Sequence, residues 1–447
     1  MVTEITKLEN SYEEAFRTLQ GRSKNSRGSW LPHLREKAME RFAELGFPSV
    51  KDEEWKYTNV APIARIDFRP LLLADAVAPG SDANRLADFT CAEAAQSQLV
   101  FVNGVLRGDL SSLTALPEEV VAIDLSQALT NPGYSEIARE HLARYADYVA
   151  NGFTALNTAF VDGGAFVYLP KSVTVKAPLH LLFISDGNRL ATFPRVLIVA
   201  EENASATLIE SYASTSDADY FTNAVVEVVL KDGARLEHYK VQRESAQAFH
   251  IATTMAELGP NTSYDATAIT FGAALSRHDI HVTMDHEGAE CWVDGLYLVT
   301  GNQHTDTHSV IDHRKPHCTS HQLYKGILDG KSRAVFNGKI FVRHDAQKTD
   351  ALQTNKNLLL SNEARVDTKP QLEILADDVK CAHGAAVGQI DQDELFYLET
   401  RGIHHDLARN LLTYGFAEEV IGKIKIDSIR AELDEAVLNR LNARLEA

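Results

Sequence analysis

Cys381 and His383 are the most specific pair of candidate metal ligands in this chain, and they lie in the segment DDVKCAHGAAVG. Short apolar pieces between turn residues indicate a strand here, and side chains two positions apart on a strand project from the same face. A thiolate and an imidazole on one face could share a metal ion such as iron. The structural alternative is a small buried cysteine beside a hydrogen-bonded histidine. The residues alone leave both interpretations open.

A second concentration of possible ligands is the segment HTDTHSVIDHRKPHCTSH. It holds Cys318 and five histidines, which are His304, His308, His313, His317 and His321. Four-residue spacing of histidines suits zinc when the segment is a helix. The Thr, Val, Ile and Pro residues between them favour strand and turn instead. We therefore expect these histidines to be polar residues on the outer faces of successive strands.

Carboxylates supply the third candidate chemistry. Asp345, Asp350 and Asp367 could act as a pair of acids in a solenoid enzyme that cleaves carbohydrate. Their neighbours are Lys and Asn residues typical of solvated turns, and this favours a structural role. The chain also contains no GxxxxGK[ST] phosphate loop and no GxSxG nucleophile elbow. The sequence thus offers no self-sufficient catalytic constellation and predicts a protein that is not an enzyme.

A recurring phrase indicates the architecture that would position these residues. A turn, a small residue and an alternating strand follow one another from about residue 165 onward. The copies are ENASATL, DGARLEH, PNTSYDA, EGAECWV, PHCTSHQ, GKSRAVF, TDALQTN, NEARVDT and DDVKCAH. They lie about 27 to 30 residues apart at first and about 13 to 19 apart later, a drifting period typical of a solenoid. Each copy would be one turn, or half a turn, of a β-helix, whereas a β-sandwich predicts no such recurrence.

Helical patterns flank the strand-rich part. We expect a helical region over residues 1–95, a β-helix over 96–388 with a helical segment near 135–160, and a helical region over 389–447. The helix from Ser135 would carry Ala138, Leu142, Tyr145 and Val149 on one stripe. Asp391 and Glu394 form a capping box for a helix that Gly402 ends. A last helix after Asp427 has an apolar stripe, namely Ile429, Leu433, Val437, Leu441 and Leu445.

Two features of the flanking regions could mark partner surfaces. The C-terminal helices either pack back on the β-helix or dock a partner, and the pattern does not decide between these. Trp55 and Tyr57, set among charges in KDEEWKYTNV, either form a partner surface or cover the edge of a core. The second interpretation is the simpler one for both rings, because large aromatic side chains are usually highly buried.

Composition excludes several classes of partner. The net charge of −18 and a pI near 5.4 argue against nucleic acid and anionic membranes, since no compensating Lys/Arg block occurs. Four scattered cysteines without a CxxC pair suit a reducing compartment. The acidic start MVTEITKLENSYEEAF has no apolar signal core, and no run of 18 apolar residues follows. We therefore expect a soluble cytoplasmic protein.

Three segments together carry a resemblance to a known family. EEWKYTNV, PHCTSHQLYKGIL and PQLEILADDVKCAHGAAVGQIDQDELFYLETRGI are similar to the SufB/SufD family of iron–sulfur cluster assembly proteins. The resemblance covers nearly the whole chain. It implies a right-handed parallel β-helix flanked by N-terminal and C-terminal helical regions. It also implies a non-catalytic scaffold or adaptor that works in a complex with SufB and the ATPase SufC.

The resemblance also assigns residues to roles. The C-terminal helices would hold SufC through a surface that includes Phe396, Tyr397, Arg401 and Gly402. The last strands would meet SufB, or a second copy in a homodimer. Cys381 and His383 match the cysteine and histidine at that interface, and the histidine is the one linked to cluster assembly. A transient iron or iron–sulfur cluster is implied there, with no cofactor resident in the isolated chain and the question of a flavin left open.

One departure places the chain with the SufD branch of the family. SufB carries a cysteine in the strand that matches Leu352–Leu358, whereas this chain has Gln353 and Thr354 there. The resemblance therefore implies a subunit that does not hold a cluster alone. Our hypothesis is an adaptor that contributes to iron acquisition and cluster assembly at the SufB–SufD interface. The alternative is a β-helix hydrolase or lyase that acts on carbohydrate.

Overall fold

The chain folds mainly into strands, with helices near both ends. The computed structural model describes residues 2–23, 30–72 and 89–442. The strands are β1 (Arg69–Pro70), β2 (Gln98–Val102), β3 (Val105–Leu106), β4 (Val121–Asp124), β5 (Gly164–Leu169), β6 (Leu179–Ser185), β7 (Leu190–Thr192), β8 (Arg195–Ala200), β9 (Ser205–Ser214), β10 (Phe221–Leu230), β11 (Arg235–Glu244), β12 (Phe249–Leu258), β13 (Ser263–Gly272), β14 (Leu275–Met284), β15 (Glu290–Val299), β16 (His304–His313), β17 (Thr319–Leu328), β18 (Arg333–Val342), β19 (Asp350–Leu359), β20 (Arg365–Ile374) and β21 (Lys380–Gly388). The helices are α1 (Val2–Ser23), α2 (Trp30–Leu45), α3 (Ala61–Arg65), α4 (Leu125–Thr130), α5 (Ser135–His141), α6 (Gly152–Ala159), α7 (Gln392–Thr400), α8 (His405–Ile421) and α9 (Asp427–Asn442).

Successive long strands alternate between two sheets. Sheet A runs in the order β20-β18-β16-β14-β12-β10-β8-β5-β4, and sheet B runs β21-β19-β17-β15-β13-β11-β9-β6-β2-β3. From β8 onward all neighbours in both sheets are parallel, so the chain winds as a β-solenoid of about eight turns. Ser205 pairs with Arg235, Arg235 with Ser263 and Ser263 with Glu290, so these turns take 27 to 30 residues, and the later turn from Arg333 to Arg365 takes 32. The predicted solenoid is confirmed, with two strands in each turn.

Six of the nine copies of the recurring phrase mark one corner of the solenoid, whereas GKSRAVF and NEARVDT precede the sheet A strands β18 and β20 and DDVKCAH precedes β21. Two residues before each sheet B strand from β9 to β19, the backbone takes a positive φ, which turns the chain sharply into the strand. The residues at this corner are Asn203, Gly233, Asn261, Gly288, His317 and Lys348, with φ between 52° and 74°. Asn and Gly tolerate this left-handed conformation best, and this explains the small or turn-forming residues in the phrase.

The solenoid interior mixes apolar layers with a buried polar layer. Alternate residues point inward, and most are Val, Leu, Ile, Ala or aromatic. The imidazole of His238 lies 3.0 Å from Glu210 and 3.0 Å from the Tyr264 hydroxyl. The Lys240 ammonium lies 3.0 Å from His250, whose other ring nitrogen lies 2.8 Å from Glu244. Buried ionisable groups thus find partners among themselves.

The N-terminal region packs on the outer face of sheet A. Its aromatic residues Tyr12, Phe42 and Trp55 are buried in one cluster with Phe221 and Phe249 of the sheet. Helix α2 buries Ala38 and Phe42 in this cluster, and Gly46 (φ 61°) follows its last residue. This burial bears out the core-covering interpretation for Trp55, whereas Tyr57 keeps 42% of its surface exposed.

The predicted helix from Ser135 is shorter than the apolar stripe suggested. It ends at His141, and Tyr145 and Val149 lie beyond it. The buried carboxylate of Glu227 accepts the backbone N–H groups of Ala143, Tyr145 and Ala146 at 2.9 to 3.2 Å. It also forms a fully buried ion pair with Arg195 at 2.5 Å. Because Glu227 accepts these three N–H groups, they are not available for the backbone hydrogen bonds of a longer helix.

The C-terminal helices α8 and α9 pack on the outer face of sheet B. Ile421, Ile429, Leu433 and Val437 are buried against apolar residues of strands β9 to β17, and the side chains of Leu441 and Leu445 lie outside the described part. Lys423 donates to Asp294 at 2.6 Å, which ties the tail to β15. The tail thus packs on its own core. Among the described helices, none is long and apolar enough to cross a membrane.

Candidate functional site at the open end of the solenoid

The last turn leaves one edge of each sheet without a neighbour. Among the described strands, β20 pairs only with β18, and β21 pairs only with β19. Most residues of these two strands are exposed or half-buried, whereas the strands of the preceding turns are mostly buried. Pro370 has no N–H, so β20 has an interrupted row of donors, and β21 contains no proline. The edge of β21 therefore presents the more regular backbone for pairing with another strand.

Cys381 and His383 lie on this edge strand. In the register of β21 and β19, Cys381 pairs with Ala351 and His383 with Gln353. Ala351 and Gln353 are inward-facing residues with 1% and 0% of their surface exposed. Inward-facing side chains at paired positions of successive strands stack in columns inside the solenoid. The two predicted ligands continue two of these columns on the uncovered last strand. They are two positions apart, so about 6.6 Å separates their Cα atoms along the strand.

The two side chains differ in their surroundings. Cys381 is half-buried against the interior core, whereas His383 is exposed. Burial, and then the negative charge of Asp350, raise the pKa of the Cys381 thiol, so the thiol is protonated at neutral pH. A metal ion that used this sulfur would have to displace its proton. Within the described residues, no group of three or more His, Cys, Asp or Glu side chains could hold a metal ion.

Gln353 occupies the position that distinguishes the two branches in the resemblance. Its side chain is fully buried, and its side-chain amide donates to the side-chain oxygen Oε1 of Gln322 at 2.7 Å. The column at this point therefore runs Gln322, Gln353, His383 toward the open end. Amide groups bind metals weakly compared with thiolate and imidazole. His383 is the first strong ligand in this column from the open end inward.

Exposed apolar side chains concentrate around this end of the molecule. Of twelve large hydrophobic residues that are exposed in the described part, eight lie between Leu352 and Leu411. The eight are Leu352, Ile374, Leu375, Val387, Phe396, Tyr397, Leu407 and Leu411. Exposed apolar patches of this kind typically mark protein interaction surfaces.

The four residues predicted to bind a partner lie on helix α7 and directly after it. Asp391 caps it by accepting the N–H groups of Asp393 and Glu394, as the sequence predicted. Phe396 and Tyr397 are 65% and 56% exposed. The Arg401 guanidinium lies 5.0 Å from the centre of the Tyr397 ring and donates to its hydroxyl at 3.1 Å, which orders both side chains. Gly402, with φ 85°, follows directly and turns the chain toward α8.

The resemblance extends the predicted surface to the helix after His404, but sequence reasoning did not single out the exposed residues of that helix. Leu407 and Leu411 lie on α8 and are 50% and 44% exposed, whereas Ala408 and Thr413 on its other face are fully buried. The four-residue spacing of the two leucines places them on one side of the helix. This spacing was visible in the sequence, but it could not show that sheet B covers only the opposite side. We call Phe396, Tyr397, Leu407 and Leu411 the α7–α8 surface.

The histidine-rich segment lies elsewhere, in β16 and β17. His304 and His308 face outward as predicted, but residues 53–58 of the N-terminal region cover them. The Thr58 hydroxyl donates to Asp306 at 2.6 Å and lies 2.8 Å from His304, and Glu54 lies 3.3 Å from His308. His313 differs from the prediction, because it is fully buried inside the solenoid against the Ser320 hydroxyl at 2.8 Å. These three histidines therefore make contacts within the chain.

Comparison with known families matches nearly the whole chain. Residues 6–181 match the SufBD protein N-terminal region, and residues 183–416 match the SufBD core domain of SUF system FeS cluster assembly. An iron–sulfur cluster assembly SufBD family protein of Synechocystis is 38% identical over 425 residues, which cover 92% of this chain and 91% of the relative.

Two further relatives, one from each branch of this family, match this chain over different lengths. The iron–sulfur cluster assembly protein SufD of Escherichia coli is 32% identical over 413 residues, covering 91% of each chain. The iron–sulfur cluster assembly protein SufB of Bacillus subtilis is 28% identical over 327 residues, covering 72% of this chain and 68% of the relative. The SufD relative thus matches over a longer part of the chain. From the fold, the family matches and these relatives, we conclude that the chain belongs to the SufB/SufD family of iron–sulfur cluster assembly proteins and resembles its SufD members.

Proposed function

We propose that this chain is a non-catalytic scaffold subunit that assembles iron–sulfur clusters together with SufB and the ATPase SufC. The observation that carries the proposal is the uncovered edge strand β21, which presents Cys381 and His383 beside exposed apolar residues. Iron and sulfide are then substrates of the complex. The chain contributes ligands and surfaces, and catalysis of ATP hydrolysis belongs to SufC.

SufB is the proposed occupant of the open end. This chain and a SufB relative match over 327 residues, so the two proteins share a common core sequence. Two solenoids with similar last turns can join by strand addition, in which backbone hydrogen bonds supply affinity and side chains supply specificity. Ile374 and Val387, 40% and 47% exposed, would be covered by such a contact. A second copy of this chain offers the same edge and would give a homodimer when SufB is absent.

The chemistry at this contact follows from the two ligand types. Imidazole binds iron in its neutral form through one ring nitrogen, and thiolate binds it after losing a proton. His383 and Cys381 supply only two ligands, so a cluster needs further ligands from the partner across the contact. This requirement explains how a scaffold with an incomplete ligand set acts only in a complex.

SufC is the proposed partner of the α7–α8 surface. Helix α7 starts at Gln392, four residues after β21 ends at Gly388. A force that SufC exerts on α7 would therefore reach the ligand-bearing strand directly through this short connection. Helices α8 and α9 are fixed on sheet B by the Lys423–Asp294 contact and by apolar packing. We propose that ATP-driven closure of SufC strains the open end and exposes the assembly site.

The test measures iron and acid-labile sulfide in complexes purified after co-expression with SufB and SufC. His383→Ala should leave the complex assembled, because a single exposed side chain contributes little to a large interface. Its iron and sulfide content should fall by about tenfold, since the column holds no other strong ligand. Cys381→Ser should lower the content less if the thiol only packs against the core.

His344→Ala is the matched control, because its side chain is 85% exposed in the loop between β18 and β19. It should load iron and sulfide as the wild-type complex does. Normal loading of the His383→Ala complex would return this histidine to a structural role and contradict the proposed assembly site.

A further inference from the structure

A groove of about 560 Å³ lies between the N-terminal region and the outer face of sheet A. Its floor consists of residues paired across three strands: Thr253 pairs with Asp279 and Asp279 with His308, and Met255 pairs with His281 and His281 with Val310. Its walls come from the end of α2, from residues 52–55 and from residues 147–154. They include Leu45, Pro48, Trp55, Asp147 and Thr154. The volume matches the usual range for small-molecule sites.

Three polar side chains line this groove without a hydrogen-bond partner among the described residues. Thr154 and Thr253 keep only 1% and 8% of their surface exposed, and neither hydroxyl has a hydrogen-bond partner in the described part of the chain. The Nε2 atom of His281 is buried and likewise without a partner among the described residues. Buried polar groups in folded proteins are nearly always paired, so the unpaired His281 nitrogen, beside two threonine hydroxyls that remain accessible, points to a ligand or ordered solvent in this groove.

The charge of the lining selects the kind of ligand. Five carboxylates line the groove, from Asp52, Glu53, Glu54, Asp147 and Asp279. Three of the five are paired: Asp279 with Arg277, Glu54 with His308 and Glu53 with Lys369. Arg277 and His308 are the two cations of the lining, and both also contact Asp306. Asp147 has no cation within ion-pair distance in the described part of the chain. Its Oδ1 accepts the Val149 N–H at 2.7 Å, which leaves its other oxygen for a ligand.

We propose that this groove binds an organic cation, namely an ammonium group on a short apolar chain. An ammonium group donates three hydrogen bonds, and the Asp147 carboxylate with the Thr154 and Thr253 hydroxyls offers acceptors of the right kind. Leu45, Pro48, Met255 and Val310 supply apolar walls for the chain that carries it. Burial lowers the pKa of His281, so its imidazole is neutral at pH 7 and adds no repulsion.

The same chemistry has two sources, a free diamine or a lysine side chain of a protein. Calorimetry of the full-length chain with 1,4-diaminobutane should show saturable binding of one molecule per chain. The isosteric 1,4-butanediol and the anion succinate should show none. A peptide with one lysine that binds as tightly as the diamine would assign the groove to a protein lysine. A peptide that binds more than tenfold weaker would assign it to a free amine.

Variants locate the binding in this groove. Asp147→Asn keeps the oxygen that caps Val149, and Thr253→Val keeps the side-chain shape, so both should fold with a wild-type circular dichroism spectrum. Each should weaken diamine affinity about tenfold, as expected for loss of a charge-assisted or buried hydrogen bond. Asp345→Asn, an exposed aspartate on another part of the surface, is the charge-matched control and should change nothing. Equal binding of diamine and diol, no saturable binding, or equal weakening by all three variants would overturn the proposal.

Discussion

At the scale of single residues, His308 links the N-terminal region to the solenoid. Its imidazole lies 3.1 Å from Asp306 and 3.3 Å from Glu54. Burial disfavours the imidazolium, but the charge of Asp306 and hydrogen bonds to both carboxylates outweigh this and raise the pKa of His308 to about 9. Arg277 also contacts Asp306 at 2.8 Å and stacks 3.8 Å from the Trp55 ring. The sequence placed His304 and His308 on the outer face of a strand. It could not show that residues 53–58 cover that face, because the contact joins residues that are 246 and 248 positions apart in the chain.

The raised pKa of His308 predicts how stability depends on pH. The pKa in the folded protein lies above the ordinary value of 6.5, so this contribution is fully present below pH 6.5 and is lost as the pH rises through 9. His308→Gln should lower the free energy of unfolding at pH 6.5 by about 1–3 kcal/mol and flatten its fall between pH 6.5 and 9.5. Urea unfolding at the two pH values measures both effects.

Glu257, whose pKa burial raises to about 7, adds a slope of its own in wild type and variant alike. The difference between the two proteins therefore isolates His308. His344→Gln, at an exposed site, should keep the full pH dependence of the wild type. An identical slope in His308→Gln and wild type would show that the imidazolium does not hold the N-terminal region in place.

At the scale of elements, the repeated corner decides where each sheet B strand begins. The corner was predictable from the recurring phrase, and so were the strand starts at β9, β11, β13 and β15. Strands β18, β19 and β20 each reach ten residues, because parallel pairing with the previous turn continues them through polar residues. Local pattern predicted the turns, and stacking set the strand lengths.

His317 and Gly288 occupy this corner in neighbouring turns and predict opposite effects of substitution. His317 has φ 58°, a conformation that costs a non-glycine residue about 1–2 kcal/mol. His317→Gly should therefore stabilise the protein by about 0.5–1 kcal/mol after the entropy of glycine in the unfolded chain is included. Gly288→Ala should destabilise it by about 1 kcal/mol or more, because φ is 74° and the new Cβ would lie 2.7 Å from the Asn261 side chain.

Urea midpoints of the two variants and the wild type test this corner. Gly384→Ala in β21 serves as the control, since nothing lies within 4 Å of its added Cβ and its φ is not positive. A destabilised His317→Gly protein would mean that the imidazole contributes more than its backbone conformation costs.

At the scale of the whole molecule, the two ends of the chain cover opposite faces of one solenoid and leave its last turn open. The fold class, the flanking helices and the capped start of α7 were all predictable from sequence. The C-terminal tail was not, because an apolar stripe is the same whether it meets its own sheet or a partner. In the structure the stripe of α9, with Ile429 and Leu433, meets sheet B, whereas Leu407 and Leu411 of the preceding helix α8 remain exposed.

This division predicts a point substitution that separates SufC binding from folding. Leu411→Asp should weaken binding of SufC at least tenfold, since it places a charge in the centre of the proposed α7–α8 surface. The melting temperature should stay within about 2 °C of wild type, because Leu411 is 44% exposed. Calorimetry with purified SufC and a thermal melt measure the two quantities.

Leu438→Asp is the matched control, because Leu438 is 41% exposed on α9 and lies outside the α7–α8 surface. It should bind SufC normally. Unchanged binding by Leu411→Asp would place the SufC contact on another surface. Truncation after Gly388 is a poorer test, since it would strip the buried residues of α8 and α9 from sheet B.

The ion pair between Glu53 and Lys369, 3.1 Å long, joins the N-terminal region to the last strand of sheet A. Each turn adds one strand to a sheet, so the molecule lengthens in steps of about 4.8 Å. Residues 53–58 belong to the N-terminal region, and Glu53 contacts Lys369 on the edge strand β20, so this region extends along sheet A to its open edge. A duplicated or lost turn would keep the interior intact and separate Glu53 from its partner by one step. The number of turns therefore sets the distance between the N-terminal region and the open edge of the solenoid.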